Sequence, residues 1–383
     1  MGIAPDRETV DILLMQAAEG EPLFKTCFQC GTCTGTCPWN LVKTFVVRKI
    51  MHKAQLGLID FGDEEIWTCA TCGACVARCP RGVEIIDVMK AFRKIVAEMG
   101  VAKVPDSLRL SVKNIASLGN PQGEPEEKRA NWAQAAGVKP FAPGTEYLYF
   151  SCCVPAFDGK IRRMANAFSA VMKKAGVDFG VVGNAERCCG ESVRKAGSES
   201  VFQSLAQSNI QAFAGAKKVV VSSPHCYHTF KNEYPEFGAQ FEVFHATQLM
   251  DQLIREGKLK PTKEIKKRVI YHDPCYLGRH NNEYEAPRRV LQSIPGLELI
   301  EFPDNRKSAI CCGGGGGRVW METPKGERFS ELKVEQAAQA GAEILAVACP
   351  YCMLMFDDAV LVTGKEGTIQ VKDISELVLE SIS

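Results

Sequence analysis

The chain has 383 residues, 46% of them apolar and 24% charged, with a formal net charge of +1. This describes a globular protein of two or three domains and excludes an electrostatic case for nucleic acid or an anionic membrane surface. The most apolar stretch, residues 344–356, is too short to span a bilayer and carries Pro350. Residues 1–20 read as acidic and amphipathic and lack the pattern of a signal peptide. We therefore expect a reducing cytoplasm, where the eighteen cysteines bind metal and do not pair as disulfides.

In chain order, residues 1–100 form the first expected unit, helical around eight cysteines. Leu41, Phe45, Val46 and Ile50 suggest a helix stopped by Gly57. Val83, Ile86, Met89, Phe92, Ile95 and Met99 recur at helical spacing up to Gly100. Residues 101–145 are rich in turn formers, including Asn120-Pro121-Gln122-Gly123-Glu124-Pro125 and Lys139-Pro140, and are expected to be a linker. Beyond them the pattern repeats once, over 146–262 and 263–383. β-rich runs at 146–150 and 268–271 end just before Cys152 and Cys275. Apolar runs at 218–222 and 344–348 end just before Ser223 and Cys349. Helical segments at 161–175 and 330–342 intervene, so each half reads as parallel βαβ units. Such sheets place ligands at the carboxyl ends of their strands, so all cysteines of a half are expected to meet at one rim.

Two N-terminal runs share one spacing: Cys27, Cys30, Cys33, Cys37-Pro38 and Cys69, Cys72, Cys75, Cys79-Pro80. Both match the run of two-cluster ferredoxins, whose fourth cysteine serves the other cluster. The expected assignment is Cys27, Cys30, Cys33 and Cys79 on one [4Fe-4S] cubane, and Cys69, Cys72, Cys75 and Cys37 on its neighbour. Paired zinc knuckles are the bland alternative, disfavoured by two identical runs each sealed by Cys-Pro.

Ten further cysteines form two matched sets. The later is Cys275, Cys311-Cys312 and Cys349-Pro350-Tyr351-Cys352. The earlier is Cys152, Cys188-Cys189 and Ser223-Pro224-His225-Cys226, with Cys153 as an extra thiol. From 152 to 188 and from 275 to 311 the gap is 36 residues in each case. Five converging thiolates exceed what tetrahedral zinc accepts, so the later set points to an iron–sulfur cluster. Gly313 to Gly317 remove side chains, which would let backbone N–H groups approach sulfur or substrate.

Cys311-Cys312-Gly313 with Cys349-Pro350-Tyr351-Cys352, repeated upstream and fused behind the ferredoxin run, resembles the heterodisulfide reductase catalytic family. The fusion in one polypeptide resembles that family's D-type subunit and the K subunit of the sulfite-reduction-associated membrane complex. Cys27-Phe28-Gln29-Cys30-Gly31-Thr32-Cys33, Cys79-Pro80-Arg81-Gly82 and Lys231-Asn232-Glu233-Tyr234-Pro235 carry the likeness along most of the sequence. Related architectures serve lactate, glycolate, glycerol-3-phosphate and acyl-CoA oxidoreductase complexes. The fold implied is an α-helical two-cluster ferredoxin domain followed by an α/β domain of two repeated βαβ-type CCG halves.

The resemblance further implies a noncubane [4Fe-4S] cluster on Cys275, Cys311, Cys312, Cys349 and Cys352, expected to be solvent-reachable and catalytic. Ser223 stands where the repeat has Cys349, leaving Cys152, Cys188, Cys189 and Cys226 as matching ligands for a cubane, a zinc or nothing, with the neighbouring Cys153 as a substitute thiol. The expected function is the iron–sulfur subunit of an anaerobic oxidoreductase complex that reduces a disulfide or trisulfide. The alternative is an electron conduit of a quinone-linked, acyl-CoA or hydroxy-acid oxidoreductase, with chemistry elsewhere. No flavin or nicotinamide fingerprint is evident, so flavin- or haem-bearing subunits are the expected partners, together with a thiol carrier protein or small disulfide. Any membrane contact is expected through a partner, on the cytoplasmic face. His225, His228, Arg279, His280 and Arg318 lie beside the cysteine motifs as candidate proton or charge donors. Arg48, Lys49, His52 and Lys53 read as a solvated helix face.

Overall fold

The structure, a computed structural model, describes Glu8 and residues 23–382, so the amphipathic stretch expected at 1–20 lies outside the described residues apart from Glu8. Two four-stranded sheets, all parallel, form the body of the protein. The first has the order β2-β1-β3-β4, with β1 Tyr147–Phe150, β2 Phe179–Gly180, β3 Lys218–Val221 and β4 Glu242–His245. The second repeats it as β6-β5-β7-β8, with β5 Arg268–Tyr271, β6 Glu298–Glu301, β7 Ile344–Val347 and β8 Gln370–Asp373. The central strands are continuous apolar runs because helices cover both their faces. Residues Tyr147 to Phe150 and Ile344 to Val347 are all buried. The edge strands β4 and β6 carry exposed glutamates at their ends, Glu242 in β4 and Glu298 and Glu301 in β6, around half-buried apolar residues.

The halves exchange their last helices. Helix Ala246–Arg255, after β4, packs on Glu285–Gln292 of the second half, and Ile374–Ser381, after β8, packs on Arg162–Lys174 of the first. Ion pairs mark both contacts: Arg289 with Asp251 at 2.7 Å, and Arg163 with Glu376 at 3.5 Å. This reciprocal packing gives the two sheets one shared core and brings their carboxyl ends together.

The N-terminal segment is a set of short turns around helix Ile85–Met99, whose buried face includes Ile85, Met89, Phe92 and Val96. The helix expected from Leu41 onward begins only at Val47, and Leu41 is exposed. Asn40 is the cause: its side chain accepts from the Phe45 N–H at 3.1 Å and donates to the Phe45 carbonyl at 2.9 Å, holding a non-helical turn.

Residues 101–145 do not form the expected free linker. They contain helices Asp106–Leu118 and Asn131–Ala135. Leu108, Ile115 and Trp132 are buried, and Trp132 meets the Tyr149 ring edge-on at 5.7 Å. Apolar residues at helical spacing find a sheet and a helix to cover, and that burial outweighs the flanking prolines and glycines.

Candidate metal centres

All eighteen cysteines are free thiols, and they gather at three places. In the N-terminal segment the two Cys-x-x-Cys loops share one conformation. Gln29 and Thr71 have φ of 63° and 49°, and each is followed two residues later by a glycine at positive φ, Gly31 and Gly73. Left-handed residues turn successive N–H groups toward one side of a loop. The Thr71 N–H lies 3.4 Å from the Cys69 sulfur, and the Val83 N–H 3.3 Å from that of Cys79. Cys37, Cys69, Cys72 and Cys75 line one cavity, walled by Trp39, Ile85, Met89 and Phe329. Burial and the charges of Cys72, Cys69 and Cys33 push the Cys37 thiol well up from its ordinary pKa. Cys33 feels Cys27 and Cys30 in turn. Cys37 thus shares a cavity with the three cysteines Cys69, Cys72 and Cys75 of the second run.

The C-terminal set converges at the ends of β5 and β7. The Cys352 and Cys312 sulfurs are 3.3 Å apart, Cys311 lies against both Cys275 and Cys312, and Cys349 lies against Cys352. The Gly313 N–H points at the Cys311 sulfur from 3.2 Å. Of the remaining glycines, Gly315 to Gly317 face elsewhere. A Cβ on Gly315 would stand 2.4 Å from the Ala70 carbonyl, and one on Gly316 2.7 Å from that of Cys69. The run is glycine chiefly because the ferredoxin segment presses its backbone there.

All five cysteines of this set are buried: Cys275 is 6% exposed and the other four are at most 3%. This burial corrects the expected solvent-reachable site, and Tyr276, next to Cys275, is itself fully buried.

The upstream set also converges, Cys153 included. Cys226 and Cys189 are 3.4 Å apart, Cys188 lies against Cys153 and Cys189, and Cys226 against Cys152. Cys152 sits at φ 79° and ψ 156°, a region few non-glycine residues enter and one that costs about 1–3 kcal/mol. Ser223 is fully buried and its hydroxyl has no partner among the described residues. Arg129, in the stretch expected to be a linker, donates to the Cys153 sulfur at 3.3 Å and to Glu186 at 3.0 Å. A buried cation beside clustered thiols is a contribution the cysteine pattern gave no means of locating.

Between the two sets, side chains cross over. His225 of the first half lies near Cys349 and Cys275, while Tyr351, its counterpart in the repeat, lies near Cys152 and Cys188. Their rings are 4.7 Å apart, and His225 stacks on Tyr276 at 4.0 Å. Burial opposes the charge of His225, but Glu191, 3.1 Å away, raises its pKa to about 10. His228 is more removed and burial lowers it to about 4. Arg279 bridges the ferredoxin and C-terminal sites: it donates to the Cys72 carbonyl at 2.6 Å, and Cys72, Cys275 and Cys311 keep it charged despite burial. Cys72 itself touches Cys311. The His280 ring is held on the Thr71 carbonyl at 2.9 Å and stacked on Tyr276, away from the sulfurs. Arg318 turns to Thr323 and the face of Trp39.

Reduced thiols packed sulfur to sulfur, with N–H groups aimed at them and a cation alongside, are a donor set suited to iron–sulfur clusters. The fold and these sites define an iron–sulfur protein of ferredoxin type with a duplicated cysteine-rich domain. Family comparison agrees: residues 24–83 match the 4Fe-4S dicluster domain, and 147–231 and 269–357 the cysteine-rich (CCG) domain.

The chain belongs to the family of iron–sulfur oxidoreductase subunits that includes the D subunit of heterodisulfide reductase. It is 31% identical over 309 residues to the D subunit of the dihydromethanophenazine:CoB–CoM heterodisulfide reductase of Methanosarcina barkeri, covering 79% of this sequence and 74% of that one. It is 34% identical over 331 residues to "Probable iron-sulfur-binding oxidoreductase FadF" of Bacillus subtilis, and 34% over 337 residues to "EtfAB:quinone oxidoreductase" of Syntrophomonas wolfei. Each of these two alignments covers 84% of this chain but 47% of the relative, so the chain spans about half their length. Among the described residues, no helix is long and apolar enough to cross a membrane.

Proposed function

We propose that this chain is the iron–sulfur relay of a redox complex, taking electrons from a flavin- or haem-bearing partner and passing them on one at a time. The observation that carries this reading is the contact of Cys72 with Cys311 beside Arg279, which joins the ferredoxin segment to a buried five-cysteine site. Cys27, Cys30, Cys33 and Cys79 would hold one [4Fe-4S] cubane, and Cys37, Cys69, Cys72 and Cys75 the second. Cys275, Cys311, Cys312, Cys349 and Cys352 would hold a noncubane [4Fe-4S] cluster, and Cys152, Cys153, Cys188, Cys189 and Cys226 a further cluster or a zinc. When bound, these groups supply one-electron transfer.

The protein's own residues set the conditions. Arg279 offsets negative charge where the two sites meet, and the N–H groups of Thr71, Val83 and Gly313 reach sulfur. Both effects favour the more negative, reduced state and raise the potential. Burial of the five C-terminal cysteines limits access by water and bulky substrates while leaving electrons free to pass. The half-length likeness to a relative named for EtfAB and quinone supports a place between a flavoprotein and a quinone-linked acceptor, at the cytoplasmic membrane face through a partner.

A second reading, reduction of a disulfide or trisulfide, is favoured by His225, Glu191 and Tyr276 lying between the two cysteine sets. Each disulfide would take two electrons and two protons and leave as two thiols.

Anaerobically reconstituted protein, pre-reduced with methyl viologen and mixed with ferricenium or with aliphatic disulfides, separates the readings. The relay reading expects fast reoxidation by ferricenium and no thiol release from the disulfides. Release of two thiols per two electrons, abolished by Cys312→Ala, would replace it with the second reading.

A further inference from the structure

His272 ends the run that begins with β5, and its N–H pairs with the Ala346 carbonyl at 3.0 Å. Its side chain is 1% exposed, and neither ring nitrogen has a hydrogen-bond partner among the described residues. Buried polar atoms are almost always paired, and the polar group that interacts with this ring is the Cys312 sulfur, so a metal held by that thiolate would give the imidazole the partner that no oxygen or nitrogen of the described residues supplies. The ring is held edge-on against Phe356, 4.7 Å between centroids. A nitrogen of His272 and the sulfurs of Cys312 and Cys352 all lie within 4.8 Å of one another.

The repeat supplies an internal control. Ser223-Pro224-His225-Cys226 matches Cys349-Pro350-Tyr351-Cys352, which makes Val220 the counterpart of Ala346. Tyr149 pairs with Val220, and Tyr271 with Ala346. The next residues are Phe150 and His272. Phe150 is fully buried against Phe230 and Phe213. The fold therefore accepts an apolar ring at this position, and the imidazole at the second site is not a packing requirement. Imidazole is a good donor to iron, and replacing thiolate by histidine raises cluster potentials.

We propose that His272 supplies an imidazole nitrogen to the metal centre of the C-terminal cysteine site, giving that site a mixed nitrogen and sulfur donor set. This rests on the reading above that the site holds an iron–sulfur cluster. The test uses the anaerobic full-length protein labelled with 15N-histidine, as wild type, His272→Phe and His225→Gln, with iron content, pulsed EPR of the C-terminal centre and a redox titration for each. Wild type and His225→Gln are expected to show one strongly coupled histidine nitrogen. His272→Phe, which copies the ring at Phe150 and is therefore expected to fold, loses that coupling, keeps its iron and titrates at lower potential. Iron at the site without strong nitrogen coupling, or coupling that persists in His272→Phe, overturns this proposal alone. Iron content unchanged by Cys312→Ala would show that the site holds no cluster and overturn both readings.

Discussion

Arg93 donates a 3.1 Å hydrogen bond from Nη1 to the carbonyl oxygen of Gly316. The same fully buried guanidinium donates to the carbonyls of Ile66 at 2.9 Å, Cys69 at 2.7 Å and Lys195 at 3.1 Å. One side chain thus ties the ferredoxin segment to both cysteine-rich halves. An ammonium has three donors on one atom and cannot serve four carbonyls set around a planar fork. Arg93→Lys is expected to cost about 2–4 kcal/mol in anaerobic urea unfolding, and to make residues 23–100 the first part cut by limited proteolysis. Unchanged stability and cleavage would show that the tie is dispensable.

Gly315 offers a finer probe of the same seam. A Cβ there would stand 2.4 Å from the Ala70 carbonyl, a backbone atom that cannot swing aside. Gly315→Ala should therefore separate the Cys69–Cys72 loop from the Cys311 loop. Stopped-flow reduction is expected to show the N-terminal centres filling at the normal rate and the C-terminal one at least about tenfold later, the equivalent of about 1.4 kcal/mol.

Ser223 occupies the place of Cys349 in the repeat, buried and with a hydroxyl that has no partner among the described residues. Ser223→Cys restores a thiol of almost the same volume at the rim where Cys152, Cys188, Cys189 and Cys226 already meet. Reconstituted variant should bind more iron and sulfide per molecule than wild type, read by metal analysis. Equal content would mean that position 223 lies outside the donor set.

Asp373 caps helix Ile374–Ser381, accepting from the Ser375 N–H at 2.8 Å and from its hydroxyl. Burial raises its pKa to about 7 in the fold. The unfolded protein ionises this group near pH 4, so between roughly pH 4 and 7 the folded state holds a proton that the unfolded state lacks. Stability from this group accordingly falls as pH rises through that window. Asp373→Asn keeps the cap and removes the titration. Relative to the variant, wild type should lose about 1–3 kcal/mol between pH 5 and pH 8 in paired urea melts; parallel curves would show that Asp373 ionises normally.

Much of this arrangement was legible in the sequence. Central strands β1, β3, β5 and β7 announce themselves because both faces are covered and nearly every position is apolar. The edge strands do not: Glu242-Val243-Phe244-His245 and Gln370-Val371-Lys372-Asp373 have too little apolar run to separate from loop. The stretch 101–145 misled because its prolines and glycines punctuate short helices that pack. Leu108, Ile115 and Trp132 were the available signal, spaced too sparsely to weigh against the turn formers.

The sequence by itself determined the grouping of cysteines into three sets, because metal-binding spacing is a local property and survives without knowledge of the fold. Only the tertiary structure decided how those sets meet. Cys72 against Cys311, Arg279 and Arg93 between domains, Arg129 on Cys153 and His272 facing Cys312 all join residues far apart in sequence. Which distant groups share a buried space is set by the exchanged helices and the packed glycine loop, since burial rewards contact irrespective of separation along the backbone.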